Sequence, residues 1–323
     1  MKRREFLGLF GGAVAIPLAA RAQQPTPVVG FAMAGSAGPL RSALAGFEDG
    51  LKESGYAAGQ NVTTEYRFAD GQFDRFPVFM SEFVERKASV IVTAQPGVSA
   101  ATKATSTIPI VFSIGEDPVK LGIVPSLNRP GGNLTGVYQF AAGLEGKRLG
   151  LLHEMVPRAL TIGVLVHSNF GPSEMQLRDA QEAAASLGVK LIVVRANAES
   201  EFDAAFSTVV QQKAGAILIG ASPFFNSRRQ QLIVLAARHG LPAIYEWRDY
   251  VEAGGLMSYG TRLAEAYRQA GVYAGRILKG DKPADLPVVQ VTKFEFVINL
   301  STAKALGIEV PPLLSARADE VIE

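Results

Sequence analysis

Short apolar runs alternate with amphipathic stretches along this chain, and the same order of elements occurs twice. Val28-Val29-Gly30-Phe31-Ala32-Met33 opens one series and Thr161-Ile162-Gly163-Val164-Leu165-Val166 the other. Each run leads through a small polar loop into a helix-patterned segment that stops at a glycine, Gly55 or Gly188, and then into a second apolar run. Phe73-Asp74 and Phe202-Asp203 open the next helix, and Ile108-Pro109 in one copy matches Leu241-Pro242 in the other. The two copies stand 133 residues apart at Gly30/Gly163, at Gly55/Gly188 and at Pro109/Pro242, and 129 apart at Asp74/Asp203. An offset that drifts and returns is the mark of loop insertions, and a period this long predicts two similar domains rather than a solenoid.

The spacing predicts strands near 28–33, 61–67, 89–93 and 109–113 in the first copy and near 161–166, 190–195, 215–219 and 242–245 in the second. Helices are expected near 39–55, 73–87 and 97–106, then near 144–155, 173–187, 201–212 and 226–238. Leu40, Leu44, Phe47 and Leu51 recur at helical spacing in the first of them. Alternating short strands and helices give an α/β fold with two doubly wound parallel-sheet lobes. Gly131-Gly132-Asn133 before Leu134–Val137 and Gly254-Gly255 before Leu256–Tyr259 read as crossovers, the second followed by a helix near 261–279. One long strand from Val288 to Asn299, ahead of a helix at 301–306, reads as the third. Three hinge crossovers make a clamshell, with lobe one at 27–138 plus about 259–290 and lobe two at 139–258 plus about 300–323.

Residues 1–22 fall outside this scheme. Lys2-Arg3-Arg4 precedes an apolar stretch from Leu7 to Ala20 and a small-x-small site at Ala20-Arg21-Ala22, the order of a removable export signal. Arg3-Arg4-x-Phe6-Leu7 resembles a twin-arginine motif, with Sec export the other route. Removing it takes four of the 32 basic and one of the 30 acidic residues, leaving 28 and 29. The remainder has no basic stripe, so no nucleic acid is expected as partner. Hydrophobic residues make up 48% and charged residues 19%, as in soluble globular proteins. The absence of cysteine rules out disulfides, zinc–thiolate sites and a cysteine nucleophile, and with them a lipid anchor. A periplasmic location, a monomer and no cofactor or metal are the expectations.

In open α/β sheets ligands bind beyond the carboxyl ends of the strands, which selects particular loops. In lobe one these hold Ser36 and Ala37, Thr93 and Gln95, and Ser113 with Glu116-Asp117; in lobe two, His167 with Asn169 and Phe170, Phe224 with Asn226, and Trp247 with Arg248. Free N–H groups at helix starts favour an anionic group such as a carboxylate. Arg248 suits a bidentate carboxylate clamp or a structural pair with Asp249 or Asp117. Phe224 and Trp247 serve either as cleft walls or as core plugs, and Ser36 either as a ligand contact or as a helix cap. Glu116-Asp117-Pro118 reads as a hinge or cap. Of three histidines, His167 alone sits in a cleft loop, and no nucleophile or metal partner accompanies it. No catalytic constellation emerges.

Val251-Glu252-Ala253-Gly254-Gly255-Leu256-Met257-Ser258-Tyr259-Gly260, Arg129-Pro130-Gly131-Gly132-Asn133-Leu134-Thr135-Gly136-Val137 and the tail Ala316–Ile322 resemble the ABC-transporter substrate-binding family of type I periplasmic binding proteins. The resemblance covers essentially the whole chain after the signal. It implies a receptor that captures a small solute between its lobes and delivers it to the membrane permease of an ABC importer; some relatives resemble aromatic or branched amino-acid receptors. That family often carries an acidic residue after its first strand, where this chain has Ser36-Ala37-Gly38-Pro39-Leu40-Arg41. The expected ligand is a small solute, an amino acid or an aromatic or other carboxylate compound. Ser36, Ala37, Thr93, Gln95 and Ser113 would meet it from lobe one, and Asn169, Phe170, Phe224, Asn226, Trp247 and Arg248 from lobe two. A sensor subunit for a membrane signalling protein and a hydrolase using His167 are the rival expectations.

Overall fold

The computed structural model describes residues 26–139 and 143–323, so the expected export signal lies outside the described residues. The first series forms β1 (Val28–Met33), α1 (Arg41–Glu53), β2 (Thr63–Phe68), α2 (Phe76–Glu85), β3 (Val90–Thr93), α3 (Gly97–Ala104), β4 (Ile110–Ile114) and β5 (Leu134–Tyr138). Its central strands β1, β3 and β4 are buried on both faces because helices cover both, whereas the edge strand β2 is polar and half-exposed. The second series forms α4 (Glu145–Met155), β6 (Thr161–Val166), α5 (Ser173–Leu187), β7 (Lys190–Arg195), α6 (Phe202–Gln211), β8 (Ala216–Ile219), α7 (Pro223–Ser227), α8 (Arg229–Arg238), β9 (Ala243–Tyr245), α9 (Arg248–Glu252) and β10 (Met257–Thr261). The chain then returns through α10 (Leu263–Leu278) and β11 (Val289–Gln290), and finishes with β12 (Phe294–Asn299), α11 (Leu300–Ala305), α12 (Pro312–Arg317) and β13 (Glu320–Ile322).

Two sheets result, ordered β11-β5-β4-β3-β1-β2 and β13-β12-β10-β9-β8-β6-β7. The order β3-β1-β2 in the first recurs as β8-β6-β7 in the second, which is the repeat expressed as topology. All the pairings are parallel except β10 with β12. Between the sheets the chain passes three times, after β5, after β10 and between β11 and β12. The second passage follows Thr261, so Tyr259 to Thr261 belong to the second sheet.

Two sequence expectations change. Val288 to Asn299 is two strands: Val289 and Gln290 pair with β5, whereas Phe294 onward pairs antiparallel with β10. Period-two alternation continues through the link because both ends are extended, and alternation carries no information about which sheet each end joins. The helix expected near 226–238 begins at Arg229, because Ser222 accepts the Phe225 N–H at 3.0 Å and starts the separate turn α7.

Helix α10 crosses to the first lobe and packs against α1 with their backbones nearly touching. A Cβ on Gly46 would lie 2.1 Å from the Ala264 carbonyl oxygen, and one on Gly50 1.9 Å from that of Arg268. From the other side, a Cβ on Gly271 would lie 2.2 Å from the Phe47 carbonyl. Around this crossing Phe31, Phe47, Leu51, Tyr267 and Tyr273 form the core of the first lobe.

Candidate functional site

The carboxyl ends of β1, β3, β4, β6, β8 and β9 converge on one cavity between the lobes. From the first lobe its wall is Met33 to Gly35 and Leu40, then Ala94 and Gln95, then Ser113 to Glu116, with Gln139 after β5 and Leu263 and Tyr267 from α10. The second lobe supplies Phe170, Gln176, Ala221 to Pro223, Asn226, Glu246 and Trp247. The cavity volume is about 90 Å³. The cleft is closed: Ser42 on α1 donates to Asp249 on α9 at 2.8 Å, and Arg229 on α8 donates to the Pro39 carbonyl at 2.8 Å. Beside these contacts the Phe73 ring of the first lobe lies 6.2 Å from the His167 ring of the second.

Two carboxylic acids, Glu116 from the first lobe and Glu246 from the second, line this cavity, and no Lys, Arg or His lines it among the described residues. Glu116 is 7% and Glu246 5% exposed. Burial raises the pKa of both, and Glu246 is pushed up to about 8. At Glu246 the positive charge of Arg148 opposes the rise, while Glu145 and Glu116 add to it. Arg148 is wholly buried on α4, where it donates to Glu145 Oε1 at 2.6 Å and to the Tyr259 carbonyl on β10 at 2.8 Å. This single cation thus links the base of the second lobe to the strand that leads into the second crossing.

Neutral groups complete the wall. Gln139 donates to Ser113 Oγ at 2.7 Å, and Ser113 faces the Tyr267 hydroxyl, which donates to Met33 Sδ at 3.3 Å. Gln95 accepts from Ser99 at 3.4 Å through Oε1 and Asn226 accepts from Arg229 at 3.5 Å through Oδ1, so each keeps its amide –NH2 to donate. The Gln176 amide donates to the Ala221 carbonyl at 3.1 Å and holds that loop against α5.

Of the residues expected at the site, Gln95, Ser113, Phe170, Asn226 and Trp247 line this cavity, and Asn169 lines the neighbouring one. Ser36 and Ala37 lie beyond Gly35, outside the wall. Thr93 is buried with its hydroxyl donating to the Ala32 carbonyl at 2.8 Å, tying β3 to β1. Phe224 packs into the second lobe's core against His167, Phe202 and Phe225. Arg248 points elsewhere: it donates to Glu252 at 2.8 Å, Glu295 at 2.6 Å and Glu320 at 3.0 Å. These three glutamates engage all three guanidinium nitrogens, and they, rather than Asp249 or Asp117, are its partners. Glu116, Gln139, Gln176, Glu246 and Tyr267 enter the wall instead. The hinge-or-cap role belongs to Asp117, which accepts the Val119 N–H at 2.9 Å. His167 sits among rings, its pKa pushed down to about 4 by burial, and does not line the cavity.

Two parallel-dominated α/β sheets with three passages and a closed interlobe cavity define a type I periplasmic binding protein fold. The chain belongs to the ABC transporter substrate binding protein family, whose model matches residues 34–322. Members of this family bind substrates rather than transform them. A tyrosine-binding protein from Clostridioides difficile is 28% identical over 271 residues, 84% of this chain and 78% of the relative. A conserved domain protein from Vibrio cholerae has a TM-score of 0.83 at 28% identity, covering 92% of this chain and 99% of that one. A Streptococcus pneumoniae domain in complex with L-Trp has a TM-score of 0.81 at 26% identity, covering 92% and 100%.

Proposed function

We propose that this protein is the periplasmic receptor of an ABC importer and that its cleft captures an amino acid, with an aromatic side chain as the preferred class. The observation that carries the amino-acid assignment is the pairing of Glu116 and Glu246, one from each lobe, in a cavity without a cationic side chain. Two buried carboxylates select a ligand that brings a positive charge, because an unpaired buried charge is costly and an ammonium relieves it. The free amide groups of Gln95 and Asn226 suit a carboxylate on the same ligand. Phe170, Trp247 and Tyr267 supply aromatic surface beside them. A tyrosine-binding relative and a similar domain in complex with L-Trp support the same ligand class. The N-terminal segment that reads as an export signal supports the location, and the family supports a permease as the partner that receives the cargo.

A thermal-shift screen over the proteinogenic amino acids and small sugars, followed by calorimetry, tests this assignment. A ligand at about 100 times its Kd adds about 2.7 kcal/mol of stability, so binding shows as a clear rise in Tm. An aromatic amino acid is expected to give the largest rise. If no amino acid shifts Tm while a sugar does, the assignment is overturned.

A further inference from the structure

A second cavity of about 360 Å³ adjoins the first and is the roomier of the two. Gln95, Glu116 and Phe170 line both, so these three side chains form the wall between them. The outer cavity is also built from both lobes: Phe73, Pro96 and Leu121 stand on one side, and Pro172 and Met175 on the other. Its character is different. Apart from the shared wall and Asn169 it is apolar, and it holds two large hydrophobic side chains left 47% (Leu121) and 44% (Met175) exposed. The inner cavity of about 90 Å³ leaves no room for a side chain longer than a single ring.

On the amino-acid assignment above, we propose that the outer cavity is a second subsite that receives the apolar end of an elongated amino-acid ligand. The inner cavity reads the charged head, and the outer one selects a side chain longer than a single ring. Gln95 is the partition that moves: its side chain is held by one long hydrogen bond, from Ser99 at 3.4 Å, and turning it aside joins the two spaces. Phe170, stacked on His167 with ring centroids 6.2 Å apart, stays as the aromatic wall along which the side chain runs. An occupant would cover Leu121 and Met175 and touch both lobes together, so its burial adds to closure as well as to contact.

Calorimetry with L-tyrosine and O-benzyl-L-tyrosine tests the subsite in the wild-type protein and in two variants. Gly171→Trp fills the outer cavity from a position where a Cβ meets no other atom within 4 Å. Met175→Glu keeps the space and makes its wall charged, at a site exposed enough to tolerate it. The elongated compound is expected to bind the wild type at least about tenfold tighter than tyrosine, from burial of the added ring. Both variants should lose that preference while tyrosine affinity stays within about twofold. Tyrosine binding with no gain from the benzyl group, or a gain that survives both variants, overturns the subsite alone. Failure of both compounds together with every proteinogenic amino acid overturns the amino-acid assignment itself.

Discussion

Glu246 carries the sharpest chemical consequence of the cleft at the scale of single residues. Its surroundings are Glu145 and Arg148 from α4, Glu116 from the loop after β4, and Tyr250 from α9. Because its pKa rises from 4.5 to about 8 on folding, the folded protein holds a proton there that the unfolded chain has lost. Its contribution to stability is complete below pH 4.5 and declines as pH rises towards 8. An ammonium beside Glu246 favours the carboxylate, so binding near neutral pH should release a proton and tighten as pH rises to 8. Glu246→Gln is expected to flatten the stability–pH profile in urea melts between pH 5.5 and 8.5. The same change should weaken amino-acid binding by at least about tenfold, since a charge-assisted hydrogen bond contributes about 1.5–3 kcal/mol. A profile that keeps its slope in the variant would assign the titration to another group. The sequence places Glu116 in a cleft loop and Glu246 directly before Trp247 in another, yet nothing in it separates them from their neighbours Asp117 and Arg248. A carboxylate that caps a turn and one that faces a cleft are alike in sequence, and only the fold shows that Asp117 and Arg248 already have partners.

The α1–α10 crossing shows what sets the limit of legibility at the scale of elements. The apolar stripe of α1 is plain in Leu40, Leu44, Phe47 and Leu51, but the glycines beside it look like weak helix positions until their partner is known. Gly50→Ala is expected to destabilise the protein by about 2 kcal/mol or more, because the added carbon meets backbone that has no rotamer to yield. Gly150→Ala on α4, where a Cβ meets open space, should instead stabilise by about 0.5–1 kcal/mol through helix propensity. Opposite signs in thermal melts would establish that contact, not helix propensity, decides the first case; a matching gain at both positions would refute the close crossing. The repeat, the element order and the three passages are legible in the sequence because each rests on local periodicity. The division of Val288–Asn299 between two sheets is not, because it depends on Tyr138 and β10 far away in the chain.

Closure is a property of the whole molecule, and in this structure few polar contacts carry it. Ser42 to Asp249 and Arg229 to Pro39 join the lobes at the mouth of the cleft, whereas β10, Arg148 and the pair Arg262–Glu295 (3.2 Å) sit at the hinge. The mouth contacts exist only when the lobes meet, so removing them should leave each core intact and shift the balance towards the open state. Each such hydrogen bond contributes about 0.5–1.5 kcal/mol, which corresponds to roughly two- to tenfold in apparent affinity. Ser42→Ala and Arg229→Ala together are therefore expected to weaken amino-acid binding and to speed ligand release in stopped-flow measurements. Solution scattering should show the ligand-free double variant more extended than the ligand-free wild type, with saturating ligand restoring the compact profile. Unchanged release rates would mean that the ligand itself, held between Glu116 and Glu246, supplies nearly all of the energy of closure. The hinge pair makes the contrasting control. Glu295 is 4% exposed, accepts from Arg248 and lies 3.2 Å from the Arg262 guanidinium, so Glu295→Gln weakens the base of the second lobe whether the cleft is open or shut. It should lower Tm in both ligand states by a similar amount, whereas the mouth variants should lower Tm chiefly when ligand is present.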